Sequence, residues 1–450
     1  MSRAAAKTTP TGSRSGAADT PVEYSLLLTC TLCLLALGAV MVFSASSTAS
    51  VLDPGSGLAL LQRTLAVGAF GLVVMGILSR YGLDLVRRGT PLILAISFAM
   101  LIAVLIPGIG NEVNGARRWI GAGALQIQPS EVAKLAILLY GAQLLAARPH
   151  LVRNLRSLAQ PFLLVAALMS LLVVIEPDLG TTMVLAFAVG AMLIAAGVPM
   201  RTMGVLAAII LALAVAAVII EPYRMARVTT FLDPSADAGG AGFQATQARI
   251  ALGSGGLFGV GIGASVQKAF YLPEAHTDMI FAVLGEEWGL VGVALVVGLF
   301  AVFGFAGLQI ARNAADSYRK LLACGLTSLI LIQAILNFFA VMGMAPLTGI
   351  PLPFVSYGNS SLLVMLASVG LLLNIARTAH APSPATAAGP AAAAAARLAA
   401  VGTRAPRRAP APRPQPVGSK DTAHGTSGDS RGGNSRARGA RAGSRRRLAG

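Results

Sequence analysis

The chain has 450 residues, 55% of them hydrophobic and only 12% charged. Soluble domains carry roughly 25% charged residues, so this composition excludes an ordinary soluble fold and points to an integral membrane protein. The net charge of +17 would suit nucleic-acid binding, but 13 of the Lys and Arg residues fall after residue 380 against two Asp there, so the excess belongs mainly to a tail.

About 20 apolar residues make roughly 30 Å of helix, enough to cross the hydrocarbon core. Ten such runs are predicted, at 24–46, 58–79, 91–107, 130–148, 161–175, 179–197, 203–220, 278–304, 320–342 and 359–377. The first is too long for a signal-peptide core and reads as an uncleaved anchor preceded by a segment at 1–23. The predicted architecture is an all-α polytopic membrane protein, with its helical domain at 24–380 and a large outer loop, 221–277, between helices 7 and 8.

Orientation follows from the short loops. Arg80, Arg87, Arg88, Arg148, Arg153, Arg156, Arg201, Arg312, Arg319 and Lys320 share one side with the basic N-terminus, whereas the loops near 47–57, 176–180 and 343–357 hold no Lys or Arg. Both termini are therefore expected in the cytoplasm. Against that bias, Arg117, Arg118, Arg224, Arg227, Arg249 and Lys268 fall outside. They suit an anionic lipid headgroup, or pairing with loop acids such as Glu112, Asp233 and Asp237. The tail at 381–450 is rich in Ala, Pro, Gly, Ser and Arg and cannot bury a core, so it is expected to be disordered. Its basic clusters suit the anionic inner leaflet or a cytoplasmic protein partner, not nucleic acid.

Several motifs are spacing accidents. Cys30 and Cys33 match C-x-x-C but lie within an apolar helix, where no thiolate is activated. Gly259-Val-Gly-Ile-Gly-Ala264 lacks the strand and the downstream acid of a dinucleotide fold. Ser265-Val-Gln-Lys268 lacks the accompanying elements of an acylating enzyme.

Three constellations carry chemistry. In the first, Arg118 and Trp119 precede Gln128-Pro-Ser-Glu131 and Lys134. Pro129 and Ser130 suit a helix start, which places Glu131 and Lys134 on one helical face. Lys134 and Arg118 either clamp a diphosphate, with Trp119 as an interfacial platform, or Lys134 simply pairs with Glu131. The second constellation is Tyr271 to Glu287. Asp278, at the wet boundary, is the better base, while Glu286 and Glu287 lie about 12 Å further along a helix and organise packing. A helix cap is the alternative role for Asp278, and a metal shared with His276 a minor one. The four histidines are too scattered for a multi-histidine site, so no metal site is assigned. The third is Pro346 to Ser361, where Ser356, Tyr357, Asn359, Ser360 and Ser361 form either a sugar-recognition wall or a re-entrant turn.

Together these segments resemble the SEDS family (shape, elongation, division and sporulation), the relatives of FtsW and RodA, over roughly residues 24–377. The resemblance rests on Met41 to Ser46, the Arg-Arg-Trp and Gln-Pro-Ser-Glu block, Glu176 to Thr181, Phe231 to Pro234, Ile250 to Gly256, Tyr271 to Glu287 and Pro351 to Ser361. Gln267, Lys268 and Gly285 to Glu287 resemble the FtsW-type division branch. Asn359 departs from the family's usual second Gly after Ser-Tyr-Gly, and Asn tolerates left-handed backbone.

The resemblance implies a peptidoglycan glycosyltransferase that polymerises lipid II at the outer face of the bacterial plasma membrane during septal wall synthesis, expelling undecaprenyl diphosphate. It implies Asp278 as the catalytic base and Arg118 and Lys134 as diphosphate ligands, with Arg227 and Lys268 as further cations. Trp119, Gln128, Ser130, Glu131, Glu274, His276, Ser356, Tyr357 and Ser360 are the remaining substrate-binding candidates. A divalent cation, Mg or Mn, would share the diphosphate charge, although the sequence carries no recognisable site for it. The expected partners are a class B penicillin-binding protein (a transpeptidase) and other divisome proteins. A lipid II flippase, a non-catalytic divisome scaffold and an elongation role are the alternatives.

Overall fold

The computed structural model describes residues 21–47, 56–113, 116–122, 125–233, 242–269 and 271–379. The predicted N-terminal segment, apart from its last residues, and the basic tail lie outside them.

The chain is helical almost throughout. Its helices are α1 (Val22–Ser46), α2 (Ser56–Leu105), α3 (Pro129–Ala147), α4 (Leu155–Ile175), α5 (Leu179–Ala195), α6 (Met200–Ile220), α7 (Pro222–Leu232), α8 (Phe243–Ser254), α9 (Ile280–Arg312), α10 (Ser317–Val341) and α11 (Asn359–Ala379). Among the described residues eight of these are long and apolar enough to cross a membrane, and α5 is a shorter apolar helix. No residue of α6 is buried, and its best window has a mean hydropathy of 3.0. Such a helix is stable only with lipid around it. The protein is a multi-pass membrane protein.

The expected runs 58–79 and 91–107 are joined into one 50-residue helix, α2, because the basic stretch between them is itself helical. Straight, it would be about 75 Å long. Both of its ends nevertheless meet the same end of the bundle. Gly57 O accepts from Ser46 Oγ, and Gly71 packs on Leu366, two turns into α11. At its other end, Leu105 leads directly into a sheet whose last strand adjoins Gln128, and the Gln128 N–H donates to Ser360 of α11. The helix therefore folds back between its ends, in a stretch where Pro91 removes a backbone donor.

That small sheet was not expected. Strands β1 (Gly110–Val113), β2 (Ala116–Ala122) and β3 (Leu125–Ile127) pair antiparallel in the order β1-β2-β3. Pairing satisfies backbone groups that a loop at the membrane surface would leave open. The predicted outer loop 221–277 likewise contains two helices, α7 and α8.

The buried core runs through α1, α3, α5, α9, α10 and α11, and Phe338 of α10 packs against Phe281 and Phe300 of α9, at ring separations of 4.6 and 5.7 Å. Helix α9 is kinked at Gly289, with φ 63° and ψ −159°. The glycine-rich segment 255–261 fills the kink: Leu290 N donates to Gly256 O, Val291 N to Leu257 O, and Val260 N to Glu286 O. A Cβ on Gly289 would collide with the backbone of Leu257 and Gly259, so both the positive φ and the close approach require glycine.

Candidate active site

Asp278 sits on the loop that leads from α8 into α9. Helix α9 starts at Ile280 with Met279 as its N-cap, so Asp278 is not a cap. Two straps fix its loop. Asn337 of α10 donates through one amide nitrogen to both Asp278 O and Ile350 O, each at 2.8 Å. Tyr357 N donates to His276 O at 2.9 Å, and the two rings lie 5.7 Å apart. The loop is thereby pinned to the Pro346–Ser361 segment, and Glu274 adopts a left-handed φ of 54° within it.

The Asp278 carboxylate is half-buried and accepts from Thr277 Oγ1 at 3.3 Å. Burial, and then the Glu274 charge, push its pKa from 3.8 up to about 6, against the lowering effects of Thr277 and Arg227. Burial lowers the His276 pKa, against the neighbouring Glu274 charge. Arg227 donates to Leu347 O at 2.7 Å and lines a cavity of about 320 Å³ with Arg249, Phe231 and Phe243. Two guanidiniums and two aromatic rings thus stand beside the loop that carries Asp278.

The other predicted residues are placed differently. Lys134 is 2% exposed, and its ammonium bonds Glu131 Oε1 at 2.9 Å and Gln333 Oε1 at 2.8 Å. Arg118 donates instead to the backbone oxygens of Glu176 and Pro177, so the two cations share no partner. Lys268 is equally enclosed: its Nζ lies 2.8 Å from Glu287 Oε1 and 3.0 Å from Ser44 Oγ. Glu286 accepts from Ser265 Oγ and the backbone N–H groups of Val266 and Gln267, which holds the same stretch to α9. Arg117 pairs with Glu112 at an exposed site, which matches the loop-acid alternative.

Gln128 holds the N-cap position of α3 without a side-chain cap bond, and Ser130 Oγ is buried with no hydrogen-bond partner among the described residues. Trp119 is half-buried on β2. Ser360 bridges Gln126 O and Gln128 N, while Ser356 Oγ accepts from Leu352 N. Asn359 opens α11 without left-handed backbone. In the amide orientation that satisfies both groups, its oxygen accepts from Arg63 Nε at 2.8 Å.

Sequence reasoning assigned no role to Glu176, Asn337 or Gln333, and named Arg249 only among the outer cations. Glu176 is 1% exposed, and neither carboxylate oxygen has a hydrogen-bond partner among the described residues. Burial and the neighbouring Asp178 raise its pKa from 4.5 to about 8, against Arg118. Asp178 caps α5 through Thr181 N and accepts from Gln128 Nε2 at 3.1 Å. Gln333 and Asn337 did carry a signal, being amides four residues apart on one face of an apolar helix.

The profile of the FtsW/RodA/SpoVE family of cell cycle proteins matches residues 24–381. Stage V sporulation protein E of Bacillus subtilis is 41% identical over 352 residues, spanning 78% of this chain and 96% of the relative. A probable peptidoglycan glycosyltransferase FtsW of Alkalilimnicola ehrlichii is 42% identical over 367 residues, 81% of this chain and 91% of that protein. Among solved structures, a chain of a peptidoglycan synthase complex that coordinates polymerization and crosslinking superposes with a TM-score of 0.64 at 30% identity, covering 79% of this chain and 97% of the other. The rod shape determining protein RodA of Thermus thermophilus superposes at 0.57 with 28% identity, over 79% of this chain and 97% of that one. This chain belongs to the FtsW/RodA/SpoVE family of cell cycle proteins.

Proposed function

We propose that this protein is a peptidoglycan glycosyltransferase that polymerises lipid II at the outer face of the bacterial plasma membrane, as the names of its FtsW relatives suggest. The observation that carries the reading is Asp278: a carboxylate with its pKa near 6, on a loop strapped to two other segments, within the field of Arg227. A base whose pKa lies close to the working pH is ionised there yet still accepts a proton readily.

In the proposed reaction Asp278 takes the proton of the acceptor sugar hydroxyl. The freed oxygen attacks the anomeric carbon of the lipid-linked donor. The bond from that carbon to the phosphate oxygen breaks, and undecaprenyl diphosphate leaves with the electron pair. Arg227 and Arg249, in the cavity beside the loop, suit the developing diphosphate charge better than Lys134 and Lys268, whose ammoniums are already held by buried carboxylates. Phe231 and Phe243 offer faces for a sugar ring. Among the described residues no group of three His, Cys, Asp or Glu converges; a Mg or Mn ion sharing the diphosphate charge stays part of the proposal.

The proposed partner is a class B penicillin-binding protein, and the proposed location is the septum, with other divisome proteins. The synthase-complex neighbour supports a crosslinking partner, and the FtsW names of several relatives favour a division role beside one relative named for sporulation. Incubating the purified full chain with lipid II, with and without that partner, tests the reading. Glycan strands resolved on a gel support it. Lipid II transfer across vesicles without polymer, under both conditions, would favour the flippase alternative.

A further inference from the structure

A second cavity, about 430 Å³, opens between α1, α2 and α11 at the end of the bundle that the arginine distribution assigns to the cytoplasm. All three helices line it in the same order. Tyr24, Arg80 and Arg377 occupy its polar end, and one helical turn deeper on the same face of each helix stand Leu28, Ile77 and Leu373. Val73 continues the apolar wall a further turn along α2, and Val73 and Ile77 are 58% and 53% exposed. The apolar wall is therefore open to acyl chains from the side.

The polar end is preorganised and unbalanced in charge. Arg377 donates to Tyr24 Oη at 3.1 Å and lies over the Tyr24 ring at 4.9 Å, which fixes its guanidinium. Arg80 adds a second positive charge, and among the described residues no Asp or Glu lines the cavity. Two like charges on one rim repel unless an anion sits with them. A ligand that fits must carry phosphate-type oxygens at one end, which guanidinium forks hold bidentately, and long apolar chains at the other. Neither a free phosphate nor an acidic peptide has that second feature.

We propose that this cavity binds an anionic phospholipid of the adjoining leaflet, with its phosphate held by Arg80 and Arg377 and its acyl chains along Leu28, Ile77, Val73 and Leu373. The bound lipid bridges the first turn of α1, the middle of α2 and the last turn of α11. The site is distinct from the Asp278 loop and does not depend on the proposed reaction.

Native mass spectrometry of the purified full chain, delipidated and then titrated with phosphatidylglycerol or phosphatidylcholine, tests the proposal. The wild type should retain phosphatidylglycerol at least about tenfold better, since each basic group near a membrane surface contributes about 1 kcal/mol. Arg80→Gln with Arg377→Gln should erase that preference. Gly76→Leu provides an independent arm: Gly76 lines the cavity, and a Cβ added there meets nothing within 4 Å, so the new side chain fills the cavity with both charges intact. It too should cut retention to the phosphatidylcholine level. Equal retention of the two lipids by the wild type, or undiminished phosphatidylglycerol retention by Gly76→Leu, would overturn the proposal.

Discussion

The Lys268 ammonium and the Glu287 carboxylate form a buried ion pair, 2.8 Å apart, that joins the segment before Asp278 to the helix after it. Ser44 of α1 closes the group by donating to the same Glu287 oxygen at 2.6 Å. The pair ties the stretch before Asp278 to α9. Breaking a buried pair strands the remaining charge, so Lys268→Met should destabilise by about 3–5 kcal/mol. Adding Glu287→Gln should recover most of that loss in thermal unfolding. A double variant no more stable than the single one would contradict the assignment.

Lys134 makes the same argument on α3. The notion of a diphosphate clamp at Lys134 competes with its observed pairing to Glu131 and Gln333. Lys134→Gln alone should cost about 3–5 kcal/mol by stranding a buried carboxylate. Glu131→Gln with Lys134→Gln should restore stability and, with it, lipid II binding. Persistent loss of lipid II binding in a stable double variant would return Lys134 to the diphosphate.

Much of this was legible in the sequence, and the physical reasons are specific. Apolar runs show spanning helices directly, and Asp278 stands out because an ionisable group at the start of such a run is costly. The sheet at 110–127 was not legible, because its strands are three to seven residues long and one of them holds two arginines. Lys134 takes the Glu131 pairing that its spacing already offered, whereas the partner of Lys268 was not legible, because the positive-inside rule counts a charge's side of the membrane and ignores its burial. Glu287 pairs with a lysine 19 residues earlier and Gln333 with one 199 residues earlier, and no local spacing reports either contact.

Glu176 should set an alkaline limit on stability. Its carboxyl binds a proton more tightly folded than unfolded, so between pH 4.5 and about 8 the native state holds the extra proton. Stability then falls as pH rises through that window, and the loss is complete above pH 8. Glu176→Gln, which mimics the neutral acid, should match the wild type near pH 5 and exceed it at pH 8.5 in thermal unfolding. Parallel pH curves for the two proteins would show that Glu176 is ionised throughout.

Arg227 holds the Asp278 pKa down. Arg227→Ala should therefore move the acidic limb of the polymerisation rate to higher pH as well as lowering the rate. Arg227→Lys should keep the limb nearer its original position while losing the bidentate fork. An unchanged limb in Arg227→Ala would separate the two residues.

The most direct measurement is the lipid II polymerisation rate of the purified full chain with Asp278→Asn, beside the wild type, across pH 5 to 8. The wild-type rate should rise with pH through about 6 as the carboxylate ionises. The variant keeps the side chain's shape but not its basicity, and should be slower by about 10²–10⁴-fold and flat across that range. A folded Asp278→Asn protein that polymerises at the wild-type rate, with the same rise through pH 6, would contradict Asp278 as the catalytic base.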